Sequence, residues 1–296
     1  MPAIKNVLII GASGNLGPSV LDALLATEQF NVSVVSRPES KATFPSTVNV
    51  IRSDYSIESF ESAFKGQDAV VSTVGNDGFE HQQKIVEAAI KAGVKRFIPS
   101  EFGIDTTRAD VQAHLPIVMA SKRKFVEFLQ SKEKEGLSWT AISSGAFLDW
   151  GLQYGFLDFD LGSRKATIWD KGETYFTAST LAQVGLAVAR VLQKPAETAN
   201  RYVYISSVRT SQKEILGVLE KVTGQKWDVA TVDTATKVRE LQGKLNSGDY
   251  SVIYPLIAAA IVALPLGDLT KSGLDNDLLG LKQEQLEDVA QRVIKT

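Results

Sequence analysis

Two features of the 296-residue chain have the residue types and spacing to do chemistry. The first is the glycine run Gly11-Ala12-Ser13-Gly14-Asn15-Leu16-Gly17. The apolar, β-branched stretch Val7-Leu8-Ile9-Ile10 precedes it, and Leu16, Val20, Leu21, Leu24 and Leu25 follow at helical spacing. A strand, a glycine turn and a helix in that order form the setting in which such a motif binds a dinucleotide. Glycine allows positive φ and close backbone approach, and the new helix aims free N–H groups and a partial positive charge at a pyrophosphate. Pro18 falls in the first helical turn, where its missing N–H costs little. The spacing is G-x-x-G-x-x-G, and the alternative reading is a purely structural turn. The second feature is Lys122, which shares one helical face with Val118, Phe125 and Leu129, while Arg123 and Lys124 fall off it. A lysine on an apolar stripe either snorkels or works. Burial beside a nicotinamide, cationic when oxidised, would lower its pKa into the range where it exchanges protons.

The elements that must position these residues alternate. Strands are expected at 7–10, 31–36, 48–51, 69–74, 95–99 and 139–142, with helices over 15–28, 57–65, 79–92 and 116–135. That pattern predicts an α/β, Rossmann-type, doubly wound parallel sheet, with ligands at the carboxyl ends of its strands. Those ends are Gly11–Gly17, Arg37, Thr73–Gly75, Ser100–Gly103 and Ser143–Phe147. The second strand ends in Ser36-Arg37 with no acid at its tip, since Glu39 follows Pro38. An acid there would hold a ribose 2′-hydroxyl. A guanidinium suits a 2′-phosphate instead, with Lys41 as a second contact, so the cofactor expected is NADP(H). The other reading of Arg37 is a solvated surface arginine.

Beyond Phe147 the character changes. Residues 147–159 carry Phe147, Trp150, Tyr154, Phe156 and Phe159 with Gly151 and Gly155 between them. They form either an irregular lid, with Phe147, Trp150, Tyr154 and Phe156 on a pocket wall, or a satellite core. Thr180 caps a helix, 202–205 is a further strand, and Ser211 with Glu214 forms a capping box. The rest, from Gly224, is mixed and mostly helical. The expected division is a nucleotide-binding domain over 1–149 and a smaller, mostly helical substrate-binding region over 150–296, with parts of 180–206 packing back on the first. The apolar stretch 250–266 contains Pro255 and Pro265 and is shorter than the ~20 residues of a membrane span, so it is read as a buried helix or pocket wall.

Composition removes several functions. With 32 Lys and Arg against 34 Asp and Glu, the net charge is −2, and no basic excess exists to neutralise nucleic acid. There is no cysteine and there are two histidines, which excludes disulfides, a thiolate nucleophile and Cys- or His-rich metal sites. Neither a Tyr-x-x-x-Lys pair nor a G-x-S-x-G elbow is present. The apolar core of the N-terminal segment is too short for a signal peptide, so a cytoplasmic monomer or homodimer is expected.

The glycine run, Arg37-Pro38, Pro99-Ser100-Glu101-Phe102-Gly103 and Lys122 together resemble the isoflavone reductase-like branch of the NmrA-like, atypical short-chain dehydrogenase family. Its plant relatives include phenylcoumaran benzylic ether reductases and pinoresinol–lariciresinol reductases. Arg108 and Lys122 fall at the family's spacing after the Ser-Glu-Phe-Gly motif. The resemblance implies that Lys122 is the catalytic lysine. It implies that Gly11, Ser13, Gly14, Asn15, Leu16, Gly17 and Arg37 bind NADPH, with Lys41, Thr73, Gly75, Glu101 and Phe102 in the same cofactor site and Phe147 at the nicotinamide end. It covers 4–149 well and continues weakly through 180–192 and 202–214. Asp110 stands where plant members commonly have histidine, and Ser143-Ser144-Gly145-Ala146-Phe147 replaces their Ser-Ser-Asn-Cys-Phe. The substrate is therefore not carried over. The expected activity is NADPH-dependent reduction of an aromatic or conjugated small molecule in secondary metabolism. The alternatives are an NADP(H)-binding, redox-sensing regulator and a non-redox biosynthetic enzyme that retains the nucleotide site.

Overall fold

The computed structural model describes residues 3–75 and 81–295. Its strands β1 (Asn6–Ile10), β2 (Asn31–Ser36), β3 (Asn49–Arg52), β4 (Ala69–Ser72), β5 (Arg96–Ile98), β6 (Ser138–Ser143) and β11 (Arg201–Tyr204) form one sheet in the order β11-β6-β5-β4-β1-β2-β3. Every neighbouring pair is parallel. Apolar runs make parallel strands because both faces must be covered. Val7 and Ile9 pack on α1 (Gly17–Ala26) and α7 (Leu181–Gln193), against Val20, Leu24 and Val184. Leu8 and Ile10 face the other way, toward α2 (Ile57–Phe64), α3 (Gln82–Lys91) and α5 (Pro116–Ser131), against Phe60, Ile85 and Phe125. The order reverses between β1 and β4, so a crevice opens at their carboxyl ends.

Residues 79 and 80 of the helix expected over 79–92 lie outside the described residues. The helix expected over 116–135 ends at Ser131 and is followed by a 3₁₀ turn, Glu133–Glu135. A short helix, α4 (Ala109–His114), precedes it, where no helix was expected.

Residues 201–204 and 181–193 return to the main sheet. Gly185 lets α7 close on α1, because a Cβ there would strike the Ser19 carbonyl oxygen and lie 2.6 Å from its carbon. Arg96 stitches the returning segment down. Fully buried, it donates to Ser138 Oγ (2.8 Å), Thr140 Oγ1 (2.9 Å), Thr198 Oγ1 (3.2 Å) and the Pro195 carbonyl (2.5 Å).

The remaining elements build a second core beside the carboxyl edge. Strands β7 (Ala146–Phe147), β10 (Phe176–Ser179) and β12 (Val208–Thr210) form one small sheet. Strands β8 (Phe159–Asp160), β9 (Lys165–Trp169) and β13 (Asp228–Val232) form another. Helices α6 (Leu148–Gln153), α8 (Gln212–Thr223), α9 (Thr234–Asn246), α10 (Ile253–Val262), α11 (Asn276–Leu279) and α12 (Leu286–Lys295) complete the fold. Leu148, Leu152, Phe176, Ile215, Leu256 and Val289 share this core. The stretch expected to be an irregular lid is thus partly helical. Asp149 in α6 accepts from the Leu181 N–H (3.0 and 3.2 Å), which locks that turn to the start of α7. Thr180 caps α7 by accepting from the Gln183 N–H. Ser211 accepts from the Glu214 N–H, but the Glu214 carboxylate accepts from Tyr175 and Thr210. No described helix is long and apolar enough to cross a membrane.

Candidate active site

The turn after β1 is built so that only glycine fits at two positions. Gly11 has φ +85°, and a Cβ on it would lie 2.8 Å from the Thr73 carbonyl oxygen. A Cβ on Gly17 would strike the Gly11 carbonyl oxygen and lie 2.5 Å and 2.6 Å from Ala12 C and Cα. The Gly14 N–H donates to the Gly11 carbonyl (2.9 Å), and Thr73 donates through both N–H and Oγ1 to the Ile10 carbonyl (2.8 and 2.9 Å). Ala12, Leu16 and Gly17 are buried, while Ser13, Gly14 and Asn15 face solvent. No side chain caps the start of α1. Its first-turn donors therefore stay open, and the exposed rim of the turn suits a pyrophosphate.

At the tip of β2 the Arg37 side chain is 69% exposed, and its partner is Glu39 at 3.4 Å. Arg52 at the end of β3 fixes this turn by donating from one guanidinium nitrogen to Ser36 Oγ (3.0 Å), the Arg37 carbonyl (2.9 Å) and the Ser40 carbonyl (3.2 Å). Lys41 is exposed just beyond. The residues present thus fit a 2′-phosphorylated dinucleotide, with an open anion site at α1 and a presented guanidinium at β2.

A cavity of about 380 Å³ opens from the glycine turn into the second core. Gly14, Asn15, Leu16, Thr73, Gly75, Glu101, Phe102, Phe147 and Lys122 line it together, as do Trp150 and Phe156. Gly11, Ser13, Gly17, Arg37 and Lys41 do not line it. Tyr154, expected on the same wall, does not reach this cavity. It follows the last residue of α6 and is 67% exposed beside a neighbouring cavity. Thr106, Met119, Tyr254, Ile257 and Ile261 also line the Lys122 cavity, although no individual role is expected for them from the sequence. Tyr254, Ile257 and Ile261 fall in the apolar stretch 250–266, read from its composition as a buried helix or pocket wall, and their spacing places them on one face of α10.

Lys122 sits where the stripe on α5 meets the Ser100–Gly103 loop. Its Nζ donates to the Glu101 carbonyl at 2.6 Å. The loop is held from three sides. Ser100 donates through N–H to Gln82 Oε1 (3.0 Å) and through Oγ to the Val74 carbonyl (2.7 Å). The Gly103 carbonyl accepts from Ser143 Oγ (2.7 Å) and from the N–H groups of Ser144 and Gly145 (3.0 Å each). Phe102 adopts φ +21°, so these bonds hold a bend in the backbone. The Glu101 carboxyl is turned under the cavity, 3% exposed, where Oε2 accepts from Thr106 Oγ1 (2.7 Å), itself 3.0 Å from the Tyr202 hydroxyl. Burial pulls the Lys122 ammonium below the usual lysine range, opposed by the Glu101 charge. Burial likewise pushes the Glu101 carboxyl up, opposed by Lys122. A lysine so held, with its ammonium destabilised by burial, is suited to give or take a proton. Arg123, off the stripe, donates to Glu127 Oε1 at 3.0 Å on its own helix.

A doubly wound sheet with a glycine cradle at its first crossover, and a cavity beyond it lined by a lysine, defines a dinucleotide-binding enzyme of the Rossmann type. The NmrA-like family model matches residues 3–247, and the chain belongs to that family. The chain is 38% identical over 294 residues to oxidoreductase aprR of Aspergillus flavus, covering 98% of each chain. It is 34% identical to oxidoreductase poxI of Penicillium oxalicum, covering 96% of this chain and 92% of that one. The chain is accordingly an oxidoreductase. Its fold is similar to that of the leucoanthocyanidin reductase–NADPH complex from Vitis vinifera, at TM-score 0.77 and 22% identity over 99% of this chain and all of that one.

Proposed function

We propose that the protein is an NADPH-dependent reductase of an aromatic or conjugated small molecule, with Lys122 handling the proton. The observation that carries this reading is Lys122 and the glycine turn lining one cavity, with the Lys122 ammonium held on the Glu101 carbonyl. The glycine turn and α1 hold the pyrophosphate, and Arg37 and Lys41 take the 2′-phosphate. Thr73, Gly75 and Phe147 border the nicotinamide end, and the Glu101–Phe102 bend closes the side facing α5. NADPH supplies the hydride when it is bound. Lys122 meets the substrate oxygen and gives or takes its proton, while the Glu101 carbonyl keeps Nζ aimed at one place. Trp150, Phe156, Tyr254, Ile257 and Ile261 present apolar and aromatic surface to the substrate.

Two observations support this reading over a regulator that only senses the nucleotide. Burying an ammonium is unfavourable, and a sensor has no use for one in a substrate-sized cavity. The named relatives are oxidoreductases along their full length. Residues 1–149 are proposed to bind the cofactor and 150–296 to shape the substrate site. Secondary metabolism is the setting that the resemblance to plant phenolic reductases suggests. Spectrophotometric NADPH oxidation across a panel of enones and benzylic ethers tests the proposal. Substrate-dependent loss of absorbance supports it, and a panel that is inert while NADPH binds tightly contradicts it.

A further inference from the structure

Past the Lys122 cavity lies a second one, of about 870 Å³. Asn15, Trp150, Phe156 and Tyr254 line both, so the two adjoin between the glycine turn and the small sheet containing β9. The rings at the junction stand at angles to one another. Trp150 lies 5.6 Å from Tyr154 and 5.6 Å from Phe156, and Phe156 meets Tyr254 edge-on at 6.4 Å and 88°. Tyr154 is 67% exposed and Tyr254 53%, and both line this second cavity. Trp169 forms another part of the wall.

The same cavity is lined by one carboxylate. Asp158 is half-buried, holds φ +65°, and accepts the Trp169 indole N–H through Oδ2 at 2.6 Å. No described lysine or arginine lies within ion-pair distance of it. The lysine on the same cavity, Lys237, has its ammonium on Glu240 Oε2 at 3.0 Å, one turn along its own helix. Burial holds the Asp158 carboxyl above the ordinary carboxylate range, opposed by its hydrogen bond from Trp169. A cavity lined by several aromatic rings and one half-buried acid is the kind of surrounding that stabilises an organic cation.

We propose that the second cavity binds an ammonium group, a protonated amine or quaternary nitrogen, at the far end of the substrate. The substrate class is then an elongated conjugated or aromatic compound with a basic nitrogen remote from the reacting end. Only that second statement rests on the reductase reading, because the cation site itself requires no turnover.

The test is a tryptophan-fluorescence titration of the full-length protein with benzyltrimethylammonium and with its neutral isostere, neopentylbenzene. The cation should bind at least tenfold more tightly than the hydrocarbon. Asp158→Asn keeps an acceptor for the Trp169 indole and should weaken the cation at least tenfold while leaving the hydrocarbon unchanged. Tyr154→Leu and Tyr254→Leu replace exposed rings, so the fold is retained, and each should weaken the cation severalfold. No saturable binding of the cation to the unmodified protein, equal affinities for the two probes, or full cation affinity in Asp158→Asn would each overturn the proposal. An NADPH-oxidation panel that fails leaves this titration untouched, so the two readings fail separately.

Discussion

Replacing Arg37 by alanine tests the cofactor assignment at one point. In the structure its guanidinium is exposed and meets Glu39 at 3.4 Å, with both side chains more than two-thirds open to water. A surface pair of this kind contributes about 0–1 kcal/mol. A charge-assisted hydrogen bond to phosphate contributes about 1.5–3 kcal/mol. Exchanging Glu39 for a 2′-phosphate therefore leaves roughly 0.5–3 kcal/mol in favour of NADPH over NADH. At tenfold per 1.4 kcal/mol that is roughly a 2- to 150-fold preference. Arg37→Ala should remove most of it by weakening NADPH while NADH stays unchanged, because nothing else at the β2 tip depends on this side chain. The turn itself is held by Arg52. The preference should also shrink with added salt, since the site is open to screening. Fluorescence titrations of both nucleotides with both proteins measure it. Equal affinities in the unmodified protein, or an undiminished preference in Arg37→Ala, would refute the reasoning.

Gly17→Ala forces a methyl group into the backbone of Gly11 and Ala12, so it should cost about 1–3 kcal/mol in urea unfolding and abolish NADPH binding at micromolar concentrations. Arg96→Leu takes the guanidinium donor from the Pro195 carbonyl and from the hydroxyls of Ser138, Thr140 and Thr198, which keep their own carbonyl acceptors, and should destabilise the fold by roughly 1–3 kcal/mol without changing cofactor preference, as denaturation and nucleotide titration will show. If Lys122 donates its proton as the ammonium, the rate should fall on an alkaline limb set by its folded pKa, which burial places below 10.5. The Glu101 charge raises that pKa, so Glu101→Gln should move the limb to lower pH, read from the pH dependence of kcat.

The central sheet was legible because its strands are apolar runs separated by helical periods, and the switch point because a glycine turn marks it. Lys122 was legible for the same reason. A cation at i+4 from Val118, followed by Phe125 and Leu129, breaks a stripe that burial otherwise keeps apolar. Arg96 gave no such sign. A single arginine opening a three-residue strand reads as an edge charge, yet its partners come from β6 and from the residues after α7, 42 to 102 positions away. The small sheets were missed because two- to five-residue strands carry no period. Tyr154 was misplaced for a related reason. The aromatic segment was read as irregular, whereas Leu148–Gln153 form a helix, and the chain leaves it pointing Tyr154 to the neighbouring cavity. That second cavity joins the 150–158 turn, β9 and α10, and no local pattern in the sequence announces such a meeting.

The measurement that bears most directly on the central claim compares three proteins under NADPH turnover: the parent, Lys122→Ala and Lys124→Ala. Lys124 is exposed on the opposite side of the same helix and controls for the loss of a cation. Lys122→Ala should lose roughly 10²-fold or more in kcat, the scale of a general acid–base group, while NADPH binds as before through the glycine turn and Arg37. Lys124→Ala should match the parent. A folded Lys122→Ala protein that turns over at the parent rate would contradict the account.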